Sequence, residues 1–520
     1  MTTPLSPPPS FNFAEHLIAR NAARADRIAY IDDRTKLTYG ELASRIRRCS
    51  SMLREQGLRR GERILLLAHD SVDWPVAFLG ALHAGIVPVA LNTLLTPADY
   101  AYVLAHSRAR AAIVSAALLP SLERAMESGT HEVATVWIID DARTPTHRRF
   151  ATDVANAREA EATATHADDI AFWLYSSGST GAPKGAVHTH ANAYWTDALY
   201  AQNVLRLTQD DVCFSAAKLF FAYGLGNALT FPLSAGATTV LMAERPTSKA
   251  VFQRLVAHRA TVFYGVPTLY AAMLAAPDLP ARTDVAMRLC VSAGEALPRD
   301  IGERFTAHFG VEILDGIGST EMLHIFLSNL AGDVHYGTTG IPVPGYEVEL
   351  RGEDGRAVAD GEVGDLFIRG PSAALMYWTN RDKSRATFQG EWTKSGDKYI
   401  RCTDGYYVYA GRGDDMLKVS GLYVSPFEVE AALVQHPAVL EAAVIGKQDT
   451  EGLTKTKAFV VLKPGQCADG GLEDALKAFV KDKLAPYKYP RYIEFVPELP
   501  KTATGKIQRF RLREREQRRS

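Results

Sequence analysis

Apolar residues recur along this chain in two spacings. At 63–67, 111–114, 135–139, 170–174, 261–264, 288–291 and 311–314 they form short β-branched or aliphatic runs, which predict strands. At 74–83, 267–276 and 298–308 they recur at helical spacing, and the last segment opens on a proline, as helix starts often do. The alternation predicts an α/β architecture with largely parallel sheets. The most apolar stretch, residues 76–91, is interrupted by His83, Gly85 and Pro88, so it reads as helix, turn and strand and not as a membrane span. Polar clusters follow four of the predicted strands: residues 176–185, Gly265-Val-Pro-Thr268, Ser292-Ala-Gly-Glu295 and Asp315-Gly-Ile-Gly-Ser-Thr-Glu321. Open α/β sheets bind ligands beyond the carboxyl ends of their strands, so these four segments are expected to converge on one site.

From about Tyr336 the texture changes. Shorter, glycine-rich strands such as 364–369 and 405–409 predict a β-rich subdomain, and Gly411-Arg-Gly-Asp-Asp-Met-Leu-Lys-Val-Ser-Gly421 then offers a polar, glycine-flanked hinge. Residues 425–435 read as a capped helix, with Ser425 at the cap, Pro426 first and Glu428 third. Strands at 439–445, 457–462 and 492–496 and a helix at 472–484 complete a small α+β unit. At 520 residues the chain exceeds one hydrophobic core. Two domains are expected: residues 1–413, a large α/β body of mainly parallel sheets flanked by helices plus the β-rich subdomain, and residues 414–520, a small mobile α+β domain.

Composition narrows the class. Hydrophobic residues make up 47% and charged residues 22%, with a net charge of −1, an ordinary soluble balance that excludes a nucleic-acid protein. The basic end, residues 509–519, reads as a solvated terminal helix or tail. Five cysteines without paired spacing indicate neither a disulfide framework nor a zinc site. The first residues lack a basic region followed by an apolar one, so no signal peptide is read and a cytoplasmic protein without membrane association is expected.

The strongest chemical signal is Tyr175-Ser-Ser-Gly-Ser-Thr-Gly-Ala-Pro-Lys-Gly185. Gly178 and Gly181 let backbone N–H groups approach an anion, the hydroxyls of Ser176, Ser177, Ser179 and Thr180 add donors, and Lys184 adds a mobile positive charge. That set suits the polyphosphate of a nucleotide. It is not the common P-loop, because Gly185 follows Lys184 where that motif has Ser or Thr.

This segment resembles the signature of the adenylate-forming enzymes, which comprise acyl- and aryl-CoA synthetases, luciferases and the adenylation domains of peptide synthetases. Further matches follow in the family's order and cover nearly the whole chain. Gly318-Ser-Thr-Glu321 resembles the Gly-x-Thr-Glu loop, which implies that Thr320 bonds a phosphate and Glu321 ligates Mg2+. Trp392-Thr-Lys-Ser-Gly-Asp-Lys398 resembles the Thr-Gly-Asp motif, with Ser395 replacing threonine, and implies that Asp397 takes the ribose hydroxyls with Arg412 nearby. Pro500-Lys-Thr-Ala-Thr-Gly-Lys-Ile-Gln-Arg509 resembles the C-terminal motif whose lysine, here Lys506, neutralises charge developing at the α-phosphate. The resemblance also assigns Gly294, Glu295, Asp315, Gly316 and Ile317 to the nucleotide, Asp414 to a pivot, and Lys418 and Gly421 to a thiol channel. Ile317 departs from the family, which most often has tyrosine there to stack on adenine; benzoate-type ligases share the Asp-Gly-Ile-Gly-Ser-Thr-Glu form.

Lys218-Leu-Phe-Phe-Ala-Tyr-Gly-Leu-Gly-Asn227 supplies the substrate clue. Phe220, Phe221 and Tyr223, followed by two glycines, are expected to line a flat apolar pocket, and the resemblance to aryl-CoA ligases places Ala222, Tyr223, Gly318, His324 and Ile325 around the ring and carboxylate. The implied reaction joins benzoate to ATP as benzoyl-AMP and passes the acyl group to coenzyme A, in a monomer or homodimer. Rival readings are a ligase for another aryl acid such as a hydroxybenzoate, an enzyme loading a carrier protein, and an inactive nucleotide-binding regulator.

Overall fold

The computed structural model describes residues 6–140, 146–176, 182–413, 415–419, 422–449, 453–468, 470–484, 488–501 and 507–518. Ser177, Gly178, Ser179, Thr180, Gly181, Asp414, Gly421 and Lys506, all singled out above, lie outside the described residues, as does the side chain of Lys418.

Strand Arg63–Leu67 shows why the predicted runs are continuous rather than alternating. Ile64 and Leu66 join the core under helices Tyr39–Glu55 and Asp73–His83, whereas Leu65 and Leu67 join the core under Pro97–Ser107 and Leu119–Ser128. A parallel strand covered by helices on both faces has no side to give to water. Among the described residues this strand sits within an eight-stranded sheet, which runs from Met376–Tyr377 through Lys184–Thr189, Ile170–Ser176 and Val87–Ala90 to Arg63–Leu67, and ends at Arg148–Arg149. A nine-stranded sheet holds Ile313–Gly318, Leu289–Ser292, Val262–Gly265 and Val212–Ser215 side by side and parallel, with Ile325–Ser328 added antiparallel.

The β-rich subdomain pairs Val363–Arg369, Trp392–Arg401 and Tyr407–Arg412 antiparallel. Beyond it, Val439–Gln448, Thr454–Leu462 and Tyr492–Phe495 form a three-stranded sheet against helices Pro426–Val434 and Gly470–Lys483. The first of these helices is capped as predicted, Ser425 Oγ accepting from the N–H of Glu428 at 3.3 Å. No helix among the described residues is long and apolar enough to cross a membrane.

Three details differ from the sequence reading. Pro298 is the cap of helix Arg299–Phe309, not its first residue. The strand read at 311–314 runs on as Ile313–Gly318, because after the parallel pairing of Asp315 with Ser292 the chain gains a second, antiparallel partner in Ile325–Ser328. The basic end is docked rather than simply solvated: in helix Arg509–Gln517, Leu512 is buried and Glu516 bonds Lys457 at 2.5 Å and Lys447 at 2.7 Å.

Candidate active site

Strand register assembles the first half of the site. Gly265 stands opposite Ser292 and Ser292 opposite Asp315, so three of the polar clusters leave the carboxyl end of one sheet together. Gly294 takes φ +96°, a left-handed turn open to glycine, just after the middle strand. Asp315 is buried, its Oδ2 accepts from the N–H of Leu297 at 3.3 Å, and burial pushes its carboxyl up to about 8. The Tyr223 hydroxyl lies 3.2 Å from the carbonyl oxygens of both Gly265 and Val291, which fixes the aromatic segment across these strand ends.

The fourth cluster arrives from the other sheet. Ser176 pairs with Lys184 across the antiparallel strands that flank the Ser/Gly-rich segment. Lys184 Nζ sits 5.8 Å from the ring centroid of Tyr377, and the Tyr377 hydroxyl donates to Oε1 of Glu321 at 2.6 Å. On the opposite side His188 Nε2 reaches the carbonyl oxygen of Thr320 at 2.8 Å. The loop at 320–321 is thus bonded to both strand Lys184–Thr189 and strand Met376–Tyr377.

Beside that loop His324 is buried and ringed by aromatics: Phe231 at 4.5 Å, Tyr200 at 5.4 Å and Tyr223 at 5.6 Å between centroids. Burial lowers its pKa to about 3, so the ring is neutral. Nε2 lies 3.1 Å from Oδ1 of Asn227, while Nδ1 meets no hydrogen-bond partner among the described residues. A Cβ on Gly318 would fall 2.5 Å from the carbonyl oxygen of His324, and Gly318 pairs with Ile325 across the two strands, which puts these two positions in direct register. Ala222 and Tyr223 are half-buried at the start of a short helix, Ala222–Leu225. Phe220 and Phe221 pack on each other at 4.4 Å; Phe220 is buried in the N-terminal core, and Phe221, like Ala222, lies half-buried against it.

The β-rich subdomain supplies an acid and a base in register. Asp397 stands opposite Arg412, Nη1 to Oδ1 3.2 Å, and the Asp397 N–H bonds Ser395 Oγ at 3.0 Å. From the C-terminal unit, Ile507 donates its N–H to Oε1 of Glu295 at 3.3 Å, and Ile507 is itself bridged to Lys501. Both described flanks of the Pro500–Arg509 motif therefore stand close to the loop after strand Leu289–Ser292.

Two family models match the chain, AMP-binding enzyme over residues 18–378 and AMP-binding enzyme C-terminal domain over residues 428–506. The chain belongs to the AMP-binding enzyme family. It is 58% identical over 511 residues to the benzoate–CoA ligase of Thauera aromatica, covering 97% of this chain and 96% of that one. It is 50% identical over 516 residues to the 4-hydroxybenzoate–CoA/benzoate–CoA ligase of Rhodopseudomonas palustris, covering 97% and 94%. Its fold matches a crystal structure of a benzoate CoA ligase from Burkholderia xenovorans LB400 with a TM-score of 0.91 and 65% identity, over 97% of this chain and all of that one.

As an AMP-binding enzyme the chain contains contacts that its motifs do not reveal. His188, Asn192 and Tyr377 bond to the loop or to each other. Their only trace in the sequence is the helical spacing of His188 and Asn192, which any surface pair can share. In the sequence Asn227 is merely the end of the aromatic segment, yet it is the polar group nearest His324 Nε2.

Proposed function

We propose that this AMP-binding enzyme is a benzoate–CoA ligase, with residues 1–413 binding ATP and acid and residues 414–520 moving between its two steps. The observation that carries the choice of acid is a neutral imidazole, His324, enclosed by three aromatic rings beside the strand ends that carry the nucleotide loops. The identity to benzoate ligases over nearly the full chain supports the same choice.

A carboxylate is a poor acylating agent because its leaving group would be oxide. In the first step a benzoate oxygen attacks the α-phosphorus of ATP, the bond to pyrophosphate breaks, and benzoyl-AMP forms. In the second the coenzyme A thiolate attacks the acyl carbon and AMP departs. Positioning and charge neutralisation carry both steps, with no covalent enzyme intermediate. Ser176, Ser177, Gly178, Ser179, Thr180, Gly181 and Lys184 hold the polyphosphate; Gly294, Glu295, Asp315, Gly316 and Ile317 line the base; Asp397 and Arg412 take the ribose. Lys506 faces the α-phosphate, Ala222, Tyr223, Gly318, His324 and Ile325 surround the acid, and Asp414, Lys418 and Gly421 serve the thiol step.

Glu321 with Thr320 would hold Mg2+, which would neutralise phosphate charge. The donor set fits: Glu321 offers a carboxylate oriented by the Tyr377 hydroxyl at 2.6 Å, and this ion is ordinarily held by one or two carboxylates together with substrate phosphates. Cytoplasmic residence and a monomeric or homodimeric state complete the reading.

A second reading, a ligase that takes hydroxybenzoates as well, is favoured by the relative from R. palustris. A substrate panel scored by CoA thioester formation decides between them. We expect benzoate first, small substituents such as fluorine next, hydroxybenzoates well behind and medium-chain fatty acids near background. An apolar pocket rejects an added hydroxyl only about 10²-fold, so the hydroxybenzoate rank is the informative one. A higher kcat/KM for octanoate or 4-hydroxybenzoate would remove the benzoate assignment and leave the ligase assignment standing. Transfer to a carrier protein but not to CoA would remove both.

A further inference from the structure

His188 lies within strand Lys184–Thr189, fully buried, with its ring stacked on Phe172 at 5.3 Å. Both ring nitrogens are engaged. Nε2 is 2.8 Å from the carbonyl oxygen of Thr320, which can only accept, so this nitrogen carries the proton. Nδ1 accepts from the side-chain amide of Asn192 at 3.0 Å. That amide is itself fixed, since Nδ2 also reaches the carbonyl of Ala373 at 3.1 Å and Oδ1 accepts from the Thr189 hydroxyl at 2.8 Å. One tautomer satisfies every atom of the network. Burial lowers the imidazole pKa to about 4, so the ring remains neutral near pH 7.

The loop that His188 grips is held from the other side as well. The N–H of Ala374 donates to the carbonyl of Glu321 at 2.7 Å, and the Ser372 hydroxyl donates to the carbonyl of Met322 at 2.8 Å. Segment 372–374 therefore closes one side and His188 the other. Lys184 and His188 share one strand, whereas Thr320 and Glu321 are adjacent in another segment, so the bond from His188 to Thr320 is a direct mechanical link between Lys184 and Glu321.

We propose that His188 is a positioning residue for the nucleotide half-reaction, its Nε2–H fixing the Thr320–Glu321 loop at a set distance from Lys184. The inference rests on the proposed roles of Lys184 and Glu321 on either side of the polyphosphate. It requires neither a charge on the ring nor a proton transfer; a buried hydrogen bond of fixed direction is enough to hold a loop whose displacement by about 1 Å costs on the order of 10²-fold in rate.

His188→Leu removes the bond and nearly keeps the volume, and His188→Gln restores an N–H of similar reach. MgATP binding, measured by calorimetry without acid, is expected to weaken at least tenfold in the leucine variant and to stay within about threefold of the parent in the glutamine variant. Benzoyl-AMP formation should fall with it, while thiolysis of supplied benzoyl-AMP by CoA stays within about twofold in both. The 15N spectrum of the parent should show His188 as the Nε2–H tautomer. Normal MgATP affinity in His188→Leu would overturn the proposal, as would equal loss of both half-reactions together with a fall in melting temperature that His188→Gln shares. A parent enzyme that bound no MgATP would sink the nucleotide reading itself, and the proposal with it.

Discussion

A methyl group on Gly226 would stand 2.3 Å from Cδ2 of His324 and 2.9 Å from Cζ of Phe231. Both neighbours are buried rings, so neither can yield without disturbing the pocket. Gly226→Ala is expected to raise the benzoate KM at least tenfold and to leave the MgATP Kd within about twofold; equal weakening of both ligands would separate His324 from the acid. Asp315 makes a different prediction at this scale. Its carboxyl is pushed up to about 8 by burial, against 3.8 for the unfolded chain, so across that window the native state retains a proton that the unfolded state has released. Its contribution is present below about pH 4 and is lost as pH rises toward 8, with a slope of at most ~1.4 kcal/mol per pH unit. Asp315→Asn keeps the acceptor for the Leu297 N–H and cannot ionise. Its melting temperature should gain on that of the parent between about pH 4 and pH 8, and parallel curves would show that Asp315 is ionised when buried.

At the scale of elements, the C-terminal helix Arg509–Gln517 is a brace and not a tail. Arg509 forks onto Glu430, Nε to Oε1 3.1 Å and Nη2 to Oε2 2.6 Å, and Glu430 also accepts from the N–H of Val444 at 2.7 Å. Arg513 bonds Asp415 at 2.5 Å. These contacts tie the helix to the residue directly after the proposed pivot. Arg509→Met would strand the buried Glu430 carboxylate, and breaking such a pair costs about 3–5 kcal/mol. A destabilisation of that order is expected, seen as an early calorimetric transition, with partial recovery in Arg509→Met/Glu430→Gln. An unchanged melting profile would mean that Glu430 is adequately held by Val444 alone. The basic composition of this helix was legible; the carboxylates that receive its arginines come from segments 415, 430 and 494 and could not be paired with it from sequence order.

At the scale of the molecule, the two proposed half-reactions should respond to opposite substitutions in the C-terminal unit. Lys506→Ala is expected to lose on the order of 10²–10³ in benzoyl-AMP formation, the scale for one transition-state donor, while thiolysis of supplied benzoyl-AMP is nearly spared. Asp414→Pro fixes φ where rotation is proposed, so benzoyl-AMP should still form while the thioester yield falls. Single-turnover assays of each half-reaction check both. Equal loss in the two steps for Lys506→Ala, or normal overall turnover for Asp414→Pro, would remove the respective role.

The fold was largely readable, because a strand buried on both faces must be apolar throughout and a helix capped by Ser425 must place its donors within one turn. The proposed nucleotide clusters stand out for the same local reason: glycines, hydroxyls and a lysine after a strand are chemistry carried by consecutive residues. Pocket aromatics were only partly readable. Tyr223 bonds the strand ends at Gly265 and Val291 and Phe220 is buried in the N-terminal core, although both lie in one short aromatic run. Local sequence could not distinguish them, since which side of the segment faces the ligand depends on the strands beneath it. Nor could it connect His188 with Thr320, which stand 132 residues apart and meet only because the loop after strand Ile313–Gly318 of one sheet reaches strand Lys184–Thr189 of the other. The sequence by itself determined the elements, their order and the candidate groups proposed for phosphate, because those follow from neighbours along the chain. The tertiary structure alone decided which buried polar groups hold those elements in register, because a hydrogen bond between distant segments exists only after both have been brought together and dried.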